Sequence, residues 1–356
     1  MSTLYLLLLF PVVWPFIAKR LWHTEISWRE MGLNIGIIAV AVAVVWIGGR
    51  GLKASDTEIW NGQVTGKEQV WVSCEHSYEC NCRETCSGSG KDRSCSTTCD
   101  TCYEHFNDWN WTVRSDVGNF NIARIDRRGS YEPPRWTKVI KGQPVASERT
   151  FVNYIKAVPE SLFHKNSSVK EQYKGKLPDY PHVYDYHYAN RVIPVGVQVA
   201  DLADWNHKLA LALRELGPKK QANAIIVLSG ETNSQYAHAL EEHWLGGKKN
   251  DVVVVLGVPE YPKISWAYVM SWTDRELFKV KLRDALLDQK TLDADKVVTL
   301  IDSHVKELFV RKPMKDFEYL WAEVTPPMWI NVLAFMIAIF GSMGLTYVFQ
   351  RRDVNI

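Results

Sequence analysis

Uncharged apolar stretches at the two ends of the chain constrain its fold more than anything between them. Residues 31–49 are rich in Ile, Val and Ala and carry no charge, and residues 324–350 are uncharged up to Arg351 and Arg352. Residues 1–18 form a third such stretch, interrupted by Pro11 and Pro15. A helix needs about 20 apolar residues to cross roughly 30 Å of hydrocarbon. The pattern therefore predicts three transmembrane segments, at 1–18, 32–49 and 325–350, joined to a polar region over 50–323. The first is the shortest, and its prolines predict a kinked or tilted helix. It does not read as a cleaved signal: residues 1–4 carry no basic charge, and Ala18-Lys19-Arg20 stands where a small-residue cleavage site belongs. The mean hydropathy of −0.19 hides this arrangement because the polar middle dominates the average.

The basic residues beside the spans predict an orientation. The short loop 19–31 carries Lys19, Arg20 and Arg29, and the C-terminal tail carries Arg351 and Arg352. Lys and Arg favour the cytoplasmic side in short loops. Both basic segments can be cytoplasmic together, which places 50–323 outside the cytoplasm. Trp14, Trp22, Trp28, Trp46, Trp321 and Trp329 fall in or beside the spans, where indole rings suit the headgroup level. Gly32, Gly36, Ala39 and Ala43 line one face of the second span. Such a face allows close helix packing, either in a homo-oligomer or against the third span.

All seven cysteines fall in one polar window: Cys74, Cys80, Cys82, Cys86, Cys95, Cys99 and Cys102. So few apolar residues surround them that a covalent or metallic staple must order the segment. Outside the cytoplasm the expected staple is three disulfides with one cysteine left over. The odd count leaves structural zinc open. Cys74, Cys80, Cys82 and Cys86 would then form one four-ligand site, and Cys95, Cys99, Cys102 and His105 a second. Redox chemistry through Cys99-Asp100-Thr101-Cys102 is a third, weaker option. Alternation through Trp111, Val113, Phe120, Ile122, Trp136 and Val139 predicts short strands, so 60–145 reads as a small Cys-rich β module. Asn110-Trp111-Thr112 and Asn166-Ser167-Ser168 fit the glycosylation pattern.

Residues 146–194 read as an aromatic linker. Phe151, Tyr154, Ile155 and Val158 suggest a short helix capped by Ser147 or Thr150 and limited by Pro159. Tyr180, Tyr184, Tyr186 and Tyr188 read as an extended segment, with His182, Asp185 and His187 a weak metal cluster. From 195 to 312 helical and strand patterns alternate. Amphipathic helices are expected at 201–216, ending at Gly217-Pro218, and at 234–244, 278–287 and 293–309. Continuous apolar strands at 224–228 and 252–256, with a third at 264–272, predict an α/β sandwich. The fold class expected is thus a membrane-anchored α+β protein.

The strand 224–228, the run Tyr236-Ala237-x2-Leu240-x3-Trp244-Leu245-Gly246, and Lys249-Asn250-Asp251 leading into the strand 252–256 resemble the TPM-domain family. The resemblance covers roughly a third of the chain plus the last span. It implies an extracytoplasmic α/β module tethered by a C-terminal transmembrane helix, with roles in envelope or thylakoid maintenance or as an accessory subunit of a membrane complex. The Cys-rich module and the N-terminal spans lie outside that pattern, and Pro259 and Pro262 stand where a Gly-rich segment would follow the second strand. The overall style is also similar to uncharacterised phage membrane proteins.

Catalytic signatures are sparse. No Walker A, Gly-x-Gly-x-x-Gly or Gly-x-Ser-x-Gly motif is present. His238 and His243 are five residues apart, about 140° around a helix, and cannot chelate one zinc as an i, i+4 pair does. Asp201, Asp204, Asp251 and Asp274 are candidate calcium ligands, with helix capping and turn chemistry the simpler explanation. Near-balanced charge, 42 Lys+Arg against 40 Asp+Glu, argues against a nucleic-acid partner. The expected partners are the lipid bilayer and another membrane or envelope protein. The expected function is non-enzymatic binding or scaffolding outside the cytoplasm, with no catalytic residue assigned. The alternative is a metal-dependent, phosphatase-like hydrolase using the strand-end carboxylates.

Overall fold

A computed structural model describes residues 2–22, 26–88, 94–158, 168–185 and 188–352. The chain forms two compact units. One gathers residues 1–58, 150–168 and 312–356, and the other gathers 59–149 and 169–311.

The first unit is built on helices α1 (Ser2–Trp22) and α2 (Trp28–Ala54) and a C-terminal helix. The last runs through α10 (Met328–Met336), a π-helical turn (Ile337–Gly341) and α11 (Ser342–Arg352). A capping box starts α2: Ser27 Oγ accepts the Glu30 N–H at 3.2 Å, and the Glu30 carboxylate accepts the Ser27 N–H at 2.8 Å. Among the described residues two helices are long and apolar enough to cross a membrane, Trp28–Ala54 and Met328–Arg351. The first predicted span does form a helix, but α1 is not among those two. Part of that segment lies outside the described residues; α1 carries Pro11 and Pro15 and has Lys19 and Arg20 in its last turn.

Met31, Asn34, Ile38, Val42, Trp46 and Gly49 recur every three or four residues and form the buried stripe of α2. Ile38, Val42 and Trp46 pack with Leu7 of α1 and with Ala334 and Ala338 of the C-terminal helix. Asn34 is the polar link. Its amide donates to Ser342 O at 3.0 Å and Thr346 Oγ1 at 3.1 Å, and Ser342 Oγ donates back to Asn34 Oδ1 at 2.8 Å. A Cβ on Gly32 or Gly36 would meet nothing within 4 Å, so the C-terminal helix does not pack on that face. Packing between α2 and the C-terminal helix uses the Asn34 stripe instead.

In the same unit the Arg50 guanidinium lies 4.8 Å from the Trp46 ring and 4.3 Å from the Trp321 ring. The short helix α4 (Tyr154–Ala157) takes its cap from Asn153, whose Oδ1 accepts the Lys156 N–H at 3.0 Å. Ser147 and Thr150 are not the cap, because both belong to strand β6 (Pro144–Val152). Pro159 lies outside the described residues.

The second unit holds two four-stranded sheets. The first has the order β5-β4-β1-β6, with β1 Ser55–Ser73, β4 Asn107–Ser115 and β5 Phe120–Ile122. β1 and β4 are antiparallel, pairing Lys67 with Val113 and Trp71 with Trp109. Alternation buries Val64, Trp111, Val113 and Ile122 on one face with Val145. Trp136 sits on the short helix α3 (Pro134–Thr137) rather than on a strand, and meets Trp111 edge-on at 4.8 Å.

The other sheet has the order β10-β9-β8-β7, with β7 Val192–Val195, β8 Asn223–Ser229, β9 Asp251–Gly257 and β10 Trp266–Ser271. β7, β8 and β9 are parallel, and β10 is antiparallel to β9. Every residue of β8 and β9 is buried, as their uninterrupted apolar sequences require of a sheet covered on both faces. Helices α6 (Leu202–Lys220), α8 (Glu276–Asp288) and α9 (Ala294–Leu308) cover one face through Leu209, Phe278 and Ile301. Helix α7 (Gln235–His243) covers the other through Tyr236 and Leu240, joined by Tyr173, which follows the short helix α5 (Ser168–Gln172).

Helix α6 does not stop at Gly217-Pro218. It continues to Lys220 and ends on Gln221, whose φ of 52° is left-handed. Gly217 is there for proximity: a Cβ at that position would lie 1.9 Å from the Asn61 carbonyl oxygen of β1. Gly217→Ala should therefore lower the stability of this unit. The backbone overlap, on the order of 3 kcal/mol, outweighs the roughly 1 kcal/mol that Ala gains over Gly in a helix. Thermal unfolding of the detergent-solubilised protein checks this, and an unchanged or higher midpoint would contradict it.

Candidate functional site

The cysteine window folds as a hairpin of β2 (Ser77–Ser87) and β3 (Ser94–Tyr103), paired antiparallel. Its strands have no fully buried residue, and only Cys80, Cys86, Cys99 and Cys102 are less than fully exposed. Disulfides replace the missing core: Cys80–Cys102, Cys82–Cys99 and Cys86–Cys95, with Cα separations of 5.8, 4.0 and 4.0 Å. A two-stranded hairpin alone is marginally stable in water. Each bridge joins one cysteine of the first sequence block to one of the second, so the six sulfurs are bonded across the strands. They are not the thiolates that two zinc sites over Cys74, Cys80, Cys82, Cys86, Cys95, Cys99, Cys102 and His105 would need. Cys99 and Cys102 belong to different bridges, so the CxxC spacing forms no redox pair.

The seventh cysteine is free and buried at the base of the hairpin. Cys74 Sγ lies 3.8 Å from His105 Nδ1 and accepts the His76 N–H at 3.4 Å. His105 Nδ1 is 3.4 Å from Asp108 Oδ1. The Asp108 side chain is wholly buried in β4; its Oδ2 accepts from the Glu75 N–H and from Arg124, each at 3.2 Å. Its Oδ1 has no hydrogen-bond partner. Burial pushes the Asp108 carboxyl up, but the Glu75 N–H and the charges of Arg124, His76 and His105 more than offset this and hold it below the usual range. Asp108 was not evident from sequence; the only signal for it is the i, i+3 spacing from His105.

The four carboxylates of the α/β region do not gather. Asp201 and Asp204 start α6, after the carboxyl end of β7, and Asp204 pairs with Lys208 at 2.8 Å. Asp251 begins β9, and Asp274 follows β10, whose last residue Ser271 pairs with Val252. The antiparallel return of β10 puts Asp251 and Asp274 at the opposite end of the strands from Asp201 and Asp204. Among the described residues no cluster with metal-ligand spacing contains any of the four. His182 pairs with Glu148 and Asp185 with Arg135, while Tyr186, His187 and residues 166–167 lie outside the described residues. His238 meets Tyr268 edge-on at 4.8 Å, and His243, which ends α7, is held low by burial and by Lys170.

Asp251 instead closes a buried polar network that the sequence did not announce. The Arg191 guanidinium donates to Asn223 Oδ1 at 2.9 Å, to Ala189 O at 3.3 Å and to Asn61 Oδ1. Asn223 donates to Asp251 Oδ1 at 2.9 Å, and the Tyr180 hydroxyl donates to Oδ2 at 2.9 Å. Burial pulls Arg191 down to about 10 and pushes Asp251 up to about 6. Beside Arg191 a cavity of about 730 Å³ is lined by Asn61, Tyr184, Tyr188, Asn206 and His207 among others, and its walls are mainly apolar. Compared with protein-family models, with curated proteins and with solved structures, the chain matches none.

Two expectations follow from these sites. Unfolded without reductant and then reduced, the chain should gain about 6 Da, two hydrogens for each bridge, by intact mass; no gain would exclude the three bridges. Asp251 sets a pH dependence. Its folded value of about 6 exceeds its unfolded value of 3.8, so its favourable contribution is complete below pH 3.8 and is lost as pH rises through about 6. Relative to Asp251→Asn, the wild type should lose on the order of 3 kcal/mol across that window. Urea midpoints of both proteins along the pH series measure the difference, and parallel curves would refute it.

Proposed function

We propose that the chain is a membrane-anchored, non-enzymatic binding protein whose disulfide-stapled hairpin is the contact surface for another membrane or envelope protein. The observation that carries this is the hairpin itself. Its strands bury nothing, so it contributes little to the core, yet three cross-strand bridges hold it in one shape. Preorganising an exposed surface lowers the ordering cost of binding. The hairpin displays Tyr78 and Tyr103, about half exposed at 52% and 58%, among Ser and Thr hydroxyls. Aromatic side chains of this kind are favoured in protein interfaces.

The anchor consists of α2 and Met328–Arg351, with α1 as a third span beside them. Three disulfides favour a compartment outside the cytoplasm. The basic loop 19–31 and the tail Arg351-Arg352 favour the cytoplasm, and two helices between them return the chain to the same side. That orientation stands whether or not α1 crosses. The likeness of residues 224–256 to the TPM-domain family agrees with an accessory role in a membrane complex.

Photo-crosslinking from Thr97 in native membranes should give a discrete adduct with one membrane protein. Replacing residues 78–102 by a short Gly-Ser turn should abolish the adduct while α2 and the C-terminal helix still anchor the chain. An adduct of equal yield after the replacement, or phosphoesterase activity that depends on Asp251, would overturn the proposal.

A further inference from the structure

The one cysteine that the disulfides leave out stands beside an imidazole and an unpartnered carboxylate oxygen. Cys74 Sγ, a His105 ring nitrogen and an Asp108 oxygen all lie within 4.8 Å of one another. We propose that Cys74, His105 and Asp108 bind a single divalent transition-metal ion of the zinc class, with a fourth position open to water or an external ligand.

The spacing fits. A tetrahedral ion with bonds of about 2.3 Å to sulfur and about 2.0 Å to nitrogen and oxygen sets its ligands roughly 3.6 Å (S to N) and 3.3 Å (N to O) apart. The observed separations are 3.8 Å from Cys74 Sγ to His105 Nδ1 and 3.4 Å from His105 Nδ1 to Asp108 Oδ1. The second observation is Asp108 Oδ1, buried without a hydrogen-bond partner and facing the imidazole. A buried carboxylate oxygen without a partner is costly, and a cation supplies what it lacks. A sulfur, nitrogen and oxygen set selects zinc or cobalt over calcium or magnesium, which take oxygen ligands.

The surroundings already hold the ligands in place. The Glu75 N–H and Arg124 fix Asp108 through its other oxygen, and the His76 N–H points at the Cys74 sulfur. Such supporting bonds orient metal ligands. Cys74 precedes β2 and His105 follows β3, and the hairpin ends between them are tied by the Cys80–Cys102 bridge and by the Glu104 N–H to His76 O bond at 3.0 Å. The bridges thus set the distance between two of the ligands. The His76 imidazole is engaged elsewhere, its Nε2 lying 3.0 Å from Arg127 O, and it is not one of the three clustered ligands. On binding, the metal replaces the thiol proton of Cys74, which leaves to solvent.

The test uses the full chain in detergent, without reductant, so that the six bridged cysteines stay oxidised. Cobalt(II) should bind one per chain, with a thiolate-to-metal charge-transfer band and tetrahedral visible bands that zinc(II) abolishes. Cys74→Ser should lose the charge-transfer band, and Asp108→Asn should weaken binding at least tenfold. Should either variant fail to fold, the wild type decides alone: the small reagent methyl methanethiosulfonate should reach the buried Cys74 slowly through local opening, and zinc(II) should block that addition until a chelator is supplied. Absence of both the band and the protection, or a charge-transfer band that survives in folded Cys74→Ser, would overturn the proposal. The outcome is independent of the partner proposed for the hairpin.

Discussion

The second unit depends on the guanidinium of Arg191. It enters β7, is almost fully buried, and donates to Asn61 of β1 and Asn223 of β8, while Asn223 donates to Asp251 of β9. One planar cation with five donors in a fixed fork therefore connects strands of two different sheets. Asn250 adds a bond from its amide to Ile59 O at 2.7 Å, and Gly217 lets α6 approach the Asn61 carbonyl. Burying a charge brings little net stability, but removing one of its partners leaves the others uncompensated, at a cost of roughly 3–5 kcal/mol. The network fixes which β1 backbone atoms face the α/β sheet. Apolar contact alone would tolerate slippage there.

What was legible in the sequence follows from how local each signal is. The strands 224–228 and 252–256 were evident because a strand buried on both faces must be apolar at every position, and β8 and β9 are. β7 was not, because it spans only Val192–Val195 with Pro194 inside, and its membership rests on long-range pairing with β8. Gly217-Pro218 carries the usual signature of a helix end, yet Gly217 answers to a β1 carbonyl more than a hundred residues earlier. Periodicity cannot encode that demand. Residues 169–185 read as part of a linker for the same reason: Tyr173 and Tyr180 have no local pattern, but they cover Tyr236 and reach Asp251.

In the membrane-type unit the same lesson takes another form. Of the two uses that Gly and Ala at helical spacing suggested for one face of α2, packing against the C-terminal helix falls instead to the stripe through Asn34, Ile38, Val42 and Gly49. Apolar side chains gain little from one another where the surroundings are equally apolar, so contact is decided by polar atoms that must find partners. Asn34 finds Ser342 and Thr346, and that requirement orients α2 against the C-terminal helix. Arg50 answers a related need at the far end of α2, with its guanidinium between two indole faces. A charge that would otherwise disfavour that end of the helix is thereby accommodated.

The cysteine window shows how burial reduces ambiguity that sequence leaves open. Seven cysteines forming three bridges allow seven choices of the omitted residue, each with 15 pairings, or about 105 arrangements in all. Folding of β1 and β4 buries Cys74 beside His105 and Asp108, which withdraws one thiol and leaves about 15. Strand register then selects among these. Cys86 stands directly opposite Cys95, and the irregularity between Cys80 and Arg83, where Asn81 takes a φ of 48°, lets Cys80 and Cys82 both reach β3. Connectivity is thus consistent with backbone geometry, with Cys74 set aside in its pocket and the other six cysteines placed across the hairpin. The spacing of the cysteines along the chain records none of it.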